Sequence, residues 1–117
     1  MRVAVGVDIE KIERIKKLYE LYGDRFMKRI FSEDEIDYLN RKADPSPHLA
    51  GMWAAKEACI KVFGRISPKK ISIMHEESGK PKLVLPENVA KRVISVDVSI
   101  SHTGEYAVAA VVALLAD

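Results

Sequence analysis

Hydrophobic and polar positions in the first part of the chain predict a strand followed by a helix. The run RVAVGVDI is rich in Val and Ile and suits a strand of about 6 to 8 residues, which we expect to end near Asp8. From Ile9 the apolar residues recur at the spacing of three and four that is typical of an amphipathic helix, which should stop around Gly23. These apolar positions are Ile12, Ile15, Leu18, Tyr19 and Tyr22.

Three further helices are indicated before residue 64. Asp24 is a suitable cap for a short helix that carries Phe26, Met27 and Ile30, and Ser32 with Glu35 has the spacing of a capping box that opens a helix through Leu39. The sequence Asp44-Pro45-Ser46-Pro47 should break that helix. The longest helix is expected over residues 47 to 63, ended by Gly64. Its apolar surface consists of Leu49, Met52, Trp53, Cys59, Ile60 and Phe63.

The second half of the chain has mainly the pattern of strands. KKISIMHEE and KPKLVLP flank Ser78-Gly79, which suits a hairpin turn, and a short helical stretch should run from Pro86 to near Arg92. VISVDVSISHTGEYAVAAVVALL then contains two β runs around the turn His102-Thr103-Gly104-Glu105.

The alternation in the first of these runs decides how the second is interpreted. Ile94, Val96, Val98 and Ile100 should lie on one face, and Ser95, Asp97, Ser99 and Ser101 on the other. The alanine-rich run that follows also suits a helix, but we favour a strand because its neighbour alternates so regularly. The elements together predict an α+β domain with the helices packed on one side of an antiparallel sheet.

Length and composition narrow the class of protein. A chain of 117 residues predicts one domain over residues 1–117, and 48% hydrophobic with 31% charged residues is typical of a soluble globular protein. No apolar run approaches the roughly 20 residues of a membrane helix, and the start lacks the features of a secretory signal. Because Cys59 is the only cysteine, no internal disulfide is possible, and we expect a cytoplasmic location.

Charge is distributed unevenly along the chain. The net charge is +2, but residues 11 to 31 contain seven basic and three acidic residues, which gives +4 (7 − 3) for that segment. SEDEID follows at once and is acidic, so the basic character is local. Two interpretations remain open: an ordinary solvated helix surface, or a docking surface for an acidic protein or nucleic acid.

Three charged residues stand in apolar surroundings and are candidates for chemistry. Glu57 and Lys61 share a helix face, and the simplest interpretation is a surface ion pair worth about 0.2 to 0.5 kcal/mol. Trp53 lies on the same face one turn earlier, which makes a fully solvated pair less favourable. Asp8 ends an almost uncharged strand and is either the N-cap of the next helix or a site residue.

If Asp8 and Glu57 converge, the site they form suits Mg²⁺. Two carboxylates are what Mg²⁺ usually takes from a protein, while waters and substrate phosphates fill the other positions. Zinc is disfavoured, since Cys59 and three scattered histidines have no metal-ligand spacing. A nucleophilic triad and a glycine-rich phosphate loop are also absent. One Mg²⁺, one Lys and a His indicate phosphoryl-group transfer.

Five segments, in this order and spacing, resemble a known family. GVDIEKIERI, RFMKRIFSEDEIDYL, WAAKEACIKVFG, SGKPKL and VSISHTGEYAVAAVV are similar to the motifs of holo-[acyl-carrier-protein] synthase, the bacterial phosphopantetheinyl transferase. The resemblance implies a phosphopantetheinyl transferase-like fold and an enzyme of fatty acid biosynthesis. Such an enzyme moves the phosphopantetheine arm of coenzyme A to a serine of apo acyl carrier protein and releases adenosine bisphosphate.

The resemblance also implies roles for individual residues. Asp8 and Glu57 look like the Mg²⁺ ligands, and Lys61 resembles the cation that steadies the phosphate and protonates the leaving group. Coenzyme A contacts are implied for Lys80 and Pro81 of the Gly-Lys-Pro turn and for His102 and Thr103. Arg14, Arg25 and Arg29 resemble the residues that dock the acidic carrier protein. No nucleic acid or membrane partner is implied.

Two further expectations follow from the family. The resemblance implies a homotrimer with active sites between subunits, so His102 could come from a neighbour of the chain that supplies Asp8 and Glu57. The connection from Gly64 to Ile71 is short and lacks an extra glycine often found there, so that loop is not expected to hold the nucleotide. The alternative function is a non-catalytic basic module that binds an acidic protein or nucleic acid through residues 11–31, which would leave Asp8 without a role.

Overall fold

The computed structural model describes residues 1 to 117 and contains five strands and four α-helices. In chain order these are β1 (Arg2–Lys11), α1 (Ile12–Ile30), α2 (Glu33–Asn40), α3 (Ser46–Phe63), β2 (Ser72–His75), β3 (Pro81–Val84), α4 (Glu87–Ala90), β4 (Val93–His102) and β5 (Tyr106–Leu115). A single 3₁₀ turn, Pro68–Lys70, lies between α3 and β2. The alanine-rich last run is a strand, as its alternating neighbour indicated.

The first strand is longer than the sequence suggested. Our expectation that β1 ends near Asp8 is wrong, because β1 pairs with β5 along its whole length, from Arg2 with Leu115 to Lys11 with Tyr106. The helix therefore begins at Ile12, with Lys11 as its N-cap residue. Asp8 is inside a strand and is not a helix cap, which excludes that interpretation of its carboxylate.

The helical segment after β1 bends at Gly23, where a stop was expected. Gly23 has φ 50° and ψ −128°, a conformation that side chains with a Cβ rarely adopt, so the helix kinks there and resumes. Ile12 and Ile15 are buried, whereas Tyr19 and Tyr22, which were expected on the apolar face, are exposed. The capping box of α2 is confirmed: the Ser32 hydroxyl accepts from the Glu35 backbone N–H, and the Glu35 carboxylate accepts from the Ser32 N–H at 2.9 Å.

Helix α3 lies directly on a three-stranded antiparallel sheet of order β1-β5-β4. The inner face of β5 is built from small and branched residues that are almost completely buried, from Ala107 to Leu115. Gly6 lets β1 approach α3 closely, because a Cβ at that position would stand only 2.3 Å from the carbonyl oxygen of Ala58. The fold therefore fixes the part of β1 that follows Gly6 against the second half of α3.

The other face of this sheet carries no helix, so the expected one-sided packing is confirmed. That outer face is apolar along β1, where Val3, Val5, Val7 and Ile9 are each at least 50% exposed. It continues on β5 through their register partners Leu114, Val112, Ala110 and Val108. Ile94 is also exposed, contrary to the alternation, since a β-bulge between Val93 and Ser95 shifts it out of the inner row.

β2 and β3 form a separate two-stranded sheet whose hairpin turns at Gly79, with φ 89°. The prediction of a single sheet was therefore incomplete. None of the helices combines the length and the apolar composition required to cross a bilayer.

Candidate functional site

Asp8, Glu57 and Lys61 meet where β1 crosses the second half of α3. Asp8 lies on the inward face of β1, and Lys61 reaches it from α3 with its ammonium nitrogen 3.3 Å from the Asp8 Oδ1 atom. The same nitrogen donates to the Val7 carbonyl oxygen at 2.7 Å. Glu57 is one helical turn before Lys61, so its carboxylate belongs to the same stripe of α3.

The Glu57–Lys61 ion pair, which was the simplest interpretation of the spacing, does not form. Lys61 pairs with Asp8 instead, and Glu57 takes part in no salt bridge. The physical reason is that the ammonium finds both a carboxylate and a carbonyl acceptor on the adjacent strand. This leaves the Glu57 carboxylate without a cation of its own.

Glu10 is a member of this site that the sequence analysis missed. It lies two residues beyond Asp8 on the same face of β1, and its side chain is only 12% exposed. Its Oε1 atom accepts from the indole N–H of Trp53 at 2.8 Å, and Arg14 donates to Oε1 at 3.1 Å and to Oε2 at 2.9 Å. The signal was the period of two along β1, which the expected strand end at Asp8 concealed.

The three carboxylates influence each other electrostatically. Burial raises the pKa of Asp8, repulsion by Glu10 adds to that shift, and Lys61 opposes it. Burial also raises the pKa of Glu57, with repulsion by Asp8 and Glu10 next, while Lys61 and Arg14 act in the opposite direction. With three acidic and two basic side chains, the site has a net formal charge of −1 (2 − 3).

These residues fit a divalent cation. The Oδ2 atom of Asp8 is buried and has no hydrogen-bond donor, which leaves a charged oxygen unsatisfied. No three acidic, histidine or cysteine side chains are already arranged as a complete metal site. Two carboxylates with open positions for water and phosphate are the arrangement that Mg²⁺ favours. Asp8 and Glu57 are the carboxylates that could hold such an ion.

A second polar cluster lies on the opposite flank of α3. Lys56 and Glu35 are 1% and 0% exposed at their side chains, and the Lys56 ammonium nitrogen is 2.7 Å from the Glu35 Oε1 atom. Lys56 also donates to the carbonyl oxygens of Pro68 and Ile71, and Glu35 Oε2 accepts from the Ile73 N–H at 2.9 Å. Burial lowers the pKa of Lys56, and the Glu35 charge opposes that shift.

The residues implied in coenzyme A binding lie across the sheet from β1, on the side of its other edge strand β4. Lys80 and Pro81 line one side of a shallow groove of about 360 Å³, where the Lys80 ammonium is 2.7 Å from Asp97 Oδ1. His102 and Pro81 line an adjoining pocket of about 190 Å³. Thr103 sits in the β4–β5 turn, where its hydroxyl oxygen accepts from the N–H groups of Glu105 and Tyr106.

The pocket beside His102 contains all three histidines of the chain, a grouping that the sequence did not suggest. His48 and His102 have ring centroids 6.1 Å apart, and the His75 ring stacks on Tyr38 at 4.0 Å. Burial lowers the pKa of both His48 and His75, and the nearby Lys42 charge adds to each shift. The Nδ1 atom of His75 is buried without a partner.

The distance between the carboxylates on β1 and the histidine pocket on β4 follows from strand pairing. His102 pairs with Ala107 on β5, and Ala107 pairs with Glu10 on β1. Since neighbouring strands are separated by about 4.8 Å, the backbones of Glu10 and His102 lie roughly 10 Å apart. A single chain therefore presents the carboxylates and the histidine pocket on one face of the sheet.

The three arginines of α1 lie in two different surroundings. Arg25 and Arg29 border an open groove of about 710 Å³. The other residues along this groove are mostly apolar: Leu18, Tyr22, Phe26, Lys28, Ile30 and Trp53. Arg14 is not part of the groove and is bound to Glu10 instead.

Comparison with known proteins gives the family. A family model described as the 4'-phosphopantetheinyl transferase superfamily matches residues 4–111. The holo-[acyl-carrier-protein] synthase of Caldanaerobacter subterraneus subsp. tengcongensis is 41% identical, over 97% of this chain and 96% of its own.

Solved structures agree with this assignment. The holo-[acyl-carrier-protein] synthase of Helicobacter pylori in complex with coenzyme A is 32% identical with a TM-score of 0.85, covering 94% of this chain and 99% of that one. The Bacillus anthracis enzyme in complex with CoA (3',5'-ADP) is 34% identical with a TM-score of 0.80, covering 94% of both chains.

The chain therefore belongs to the 4'-phosphopantetheinyl transferase superfamily. Its relatives at this level of identity are holo-[acyl-carrier-protein] synthases, and it is an enzyme of that kind with the fold that the resemblance implied. The alternative of a non-catalytic basic module is wrong.

Proposed function

We propose that the chain transfers the phosphopantetheine arm of coenzyme A to a serine of apo acyl carrier protein and releases adenosine bisphosphate, in a Mg²⁺-dependent reaction. The observation that carries this proposal is the convergence of Asp8, Glu57 and Lys61 around a buried carboxylate oxygen that lacks a donor. The family assignment and the coenzyme A complexes of similar enzymes support the choice of substrates.

Asp8 and Glu57 would hold the cation against the pyrophosphate of coenzyme A. When bound there, Mg²⁺ supplies positive charge that neutralises the phosphate oxygens. Both carboxylates are placed on rigid elements, since Asp8 is in a strand paired on β5 and Glu57 is near the middle of α3. Their positions are therefore set before the substrate arrives, which favours electrostatic stabilisation of the reacting phosphate.

Lys61 is assigned to the phosphate and to the leaving group. An ammonium has three N–H donors, and in Lys61 two of them are directed at Val7 and Asp8, so one remains for a phosphate oxygen. In the reaction the serine hydroxyl gives up its proton to a base as its oxygen bonds to phosphorus, and the bond from that phosphorus to the adenosine bisphosphate oxygen breaks. We assign Lys61 as the donor of a proton to that departing oxygen.

We assign coenzyme A binding to Lys80, Pro81, His102 and Thr103. The groove beside Lys80 and the pocket beside His102 are neighbours that share Pro81 in their lining. The Lys80–Asp97 pair is at the surface, where ion pairs contribute little, so Lys80 is free to exchange Asp97 for a phosphate. The Thr103 hydroxyl hydrogen is also free, because its oxygen only accepts in the turn.

Arg25 and Arg29 are proposed to dock the acyl carrier protein, together with Arg14. Arg25 and Arg29 border a mostly apolar groove, which suits a partner helix with an apolar stripe and acidic flanks. Arg25→Glu should raise the KM for the carrier and leave the KM for coenzyme A unchanged. Lys91→Glu, a charge reversal at an exposed position after α4, is the matched control.

The uncovered apolar face of the sheet is proposed as a contact between copies of the chain in a homotrimer. Monomeric proteins rarely expose an apolar surface as continuous as the one formed by β1 and β5. Val5→Lys places a charge at the centre of this face. Sedimentation should show a trimer for the original chain and a monomer for Val5→Lys, and a monomeric original chain would contradict the proposal.

The proposal that active sites lie between subunits can be tested separately with mixed trimers of two inactive variants. A mixture of Asp8→Asn and His102→Ala chains, exchanged in mild denaturant and refolded together, should recover part of the activity that each variant lacks. No recovery in mixed trimers would mean that both residues serve within one chain.

Mass spectrometry of the carrier protein tests the reaction itself. Incubation of the chain with coenzyme A, Mg²⁺ and apo acyl carrier protein should add the mass of the phosphopantetheine arm to the carrier. Asp8→Ala and Glu57→Ala should nearly abolish this addition, as should removal of Mg²⁺ with a chelator. An unmodified carrier with the original chain would refute the proposed reaction.

We further infer that residues 1–117 act as a single domain in the cytoplasm, where the carrier proteins and coenzyme A of bacterial lipid synthesis are expected. The single buried Cys59 is consistent with a reducing compartment.

A further inference from the structure

The Arg14–Glu10 ion pair lies between two parts of the molecule that the proposed function uses separately. Arg14 is 54% exposed on the basic face of α1, where the carrier protein is proposed to dock. Glu10 is largely buried beside Asp8 and Glu57, where the cation is proposed to bind. The inference below rests on that proposed function.

Arg14 neutralises charge in the cation site through Glu10. Both carboxylate oxygens of Glu10 accept from Arg14, at 3.1 and 2.9 Å. With Arg14 in place the formal charge of the five side chains is −1, and without it the charge is −2 (1 − 3). Loss of Arg14 from the pair would therefore make the site more attractive to a divalent cation.

Glu10 is held in place independently of Arg14. The Trp53 indole donates to Glu10 Oε1 at 2.8 Å, and Trp53 is fixed by stacking on Phe26, with ring centroids 5.5 Å apart. Trp53 is also one turn before Glu57 on the same face of α3. Glu10 should thus keep its place beside the other two carboxylates when Arg14 turns towards another partner.

We propose that Glu10 is a positioning residue through which Arg14 couples the carrier-docking face to the cation site. An acidic group of the docking carrier competes with Glu10 for the exposed Arg14 guanidinium. The Glu10 carboxylate, no longer neutralised by Arg14, then attracts the cation more strongly. Carrier and cation therefore strengthen each other's binding. Such coupling is reciprocal, because each ligand changes the affinity for the other by the same factor.

The first test measures Mg²⁺ affinity directly, by isothermal titration of the coenzyme-free protein. Arg14→Gln should bind Mg²⁺ more tightly, by roughly fivefold, the lower end of usual coupling between sites. Glu10→Gln should bind it more weakly. In the double variant the gain from Arg14→Gln should largely disappear, since Arg14 acts through Glu10.

Glu13→Gln is the matched control, because it removes a carboxylate from the exposed first turn of α1 without touching the site. Its Mg²⁺ affinity should equal that of the original chain. Thermal melts of all variants verify that the fold is intact.

The second test measures the affinity for apo acyl carrier protein with and without Mg²⁺, in the absence of coenzyme A so that no transfer occurs. Mg²⁺ should tighten carrier binding to the original chain by the same factor of roughly five. Arg14→Gln should bind the carrier more weakly, and Mg²⁺ should no longer change that affinity. A titration of the carrier alone with Mg²⁺ provides the blank.

Two results would overturn the inference while the proposed function stands. One is an unchanged or weaker Mg²⁺ affinity of Arg14→Gln. The other is an equally large increase in Mg²⁺ affinity when Arg14→Gln is added to Glu10→Gln, which would mean that Arg14 acts by its own charge. Failure of the proposed function has a different signature, namely a Mg²⁺ affinity that Asp8→Asn does not alter.

Discussion

The buried Lys56–Glu35 pair should make Lys56→Met one of the most damaging substitutions outside the candidate site. Methionine has a similar length but no charge, so Glu35 would remain as a buried anion with its cation removed. The carbonyl oxygens of Pro68 and Ile71 would also lose their donor. The change therefore leaves one charge and two acceptors unsatisfied in the interior.

The expected cost can be approximated from these contacts. Breaking a buried ion pair by removing one partner costs about 3 to 5 kcal/mol, and Glu35 keeps the Ser32 and Ile73 N–H donors, which favours the lower half of that range. Because domains of this kind are stable by only about 5 to 15 kcal/mol, a large part of the total would be lost. Urea unfolding followed by circular dichroism at pH 7 measures the difference.

A double variant separates the charge from the packing. Glu35→Gln removes the anion but keeps a single acceptor oxygen, which can serve either the Ser32 N–H or the Ile73 N–H. Lys56→Met combined with Glu35→Gln should therefore lose less free energy of unfolding than the two single changes added together. A Lys56→Met loss below about 1 kcal/mol, or strictly additive losses, would refute the conclusion that the pair is a coupled buried charge pair.

Three further outcomes follow from the structure. Gly6→Ala should cost about 1 to 3 kcal/mol in urea unfolding and weaken Mg²⁺ binding, since its Cβ would meet the Ala58 carbonyl; Gly104→Ala, with open space around it, is the control. Because burial raises the pKa of Asp8, its ionised form destabilises the fold, and stability is lost as the pH rises through that pKa. Asp8→Asn should therefore raise the melting temperature at pH 7 while abolishing transfer. Burial raises the pKa of the Cys59 thiol to about 12, so a thiol reagent at pH 8 should label it only after unfolding.

The features that the sequence predicted well are those encoded by neighbours along the chain. The capping box links residues three apart, and the β4 alternation and the stripe of Trp53, Glu57 and Lys61 each repeat within one element. Such patterns follow from the geometry of one helix or one strand. They were sufficient for the fold class and for the residues proposed to hold the cation.

The features that could not be predicted from the sequence are contacts between residues that are far apart along the chain. Lys56 and Glu35 are 21 positions apart, and Trp53 and Glu10 are 43 apart. Nothing in the local pattern of either partner identifies the other. For Glu10 a local signal did exist, the period of two from Asp8, but the strand end was placed too early because Ile9 and Ile12 also fit the helical spacing.

Helix α3 explains why an acid and two bases occur together in WAAKEACIKVF. Successive residues of a helix project about 100° apart, so Lys56 and Glu57 leave the axis towards different neighbours. Lys56 points into the core and joins α3 to α2 and to the turn before β2, whereas Glu57 and Lys61 face β1. The two groups differ electrostatically. The carboxylates beside β1 repel each other, whereas the charges of the buried Lys56–Glu35 pair neutralise each other. Because both are on one helix, the satisfied pair fixes the orientation that holds the repelling carboxylates beside each other.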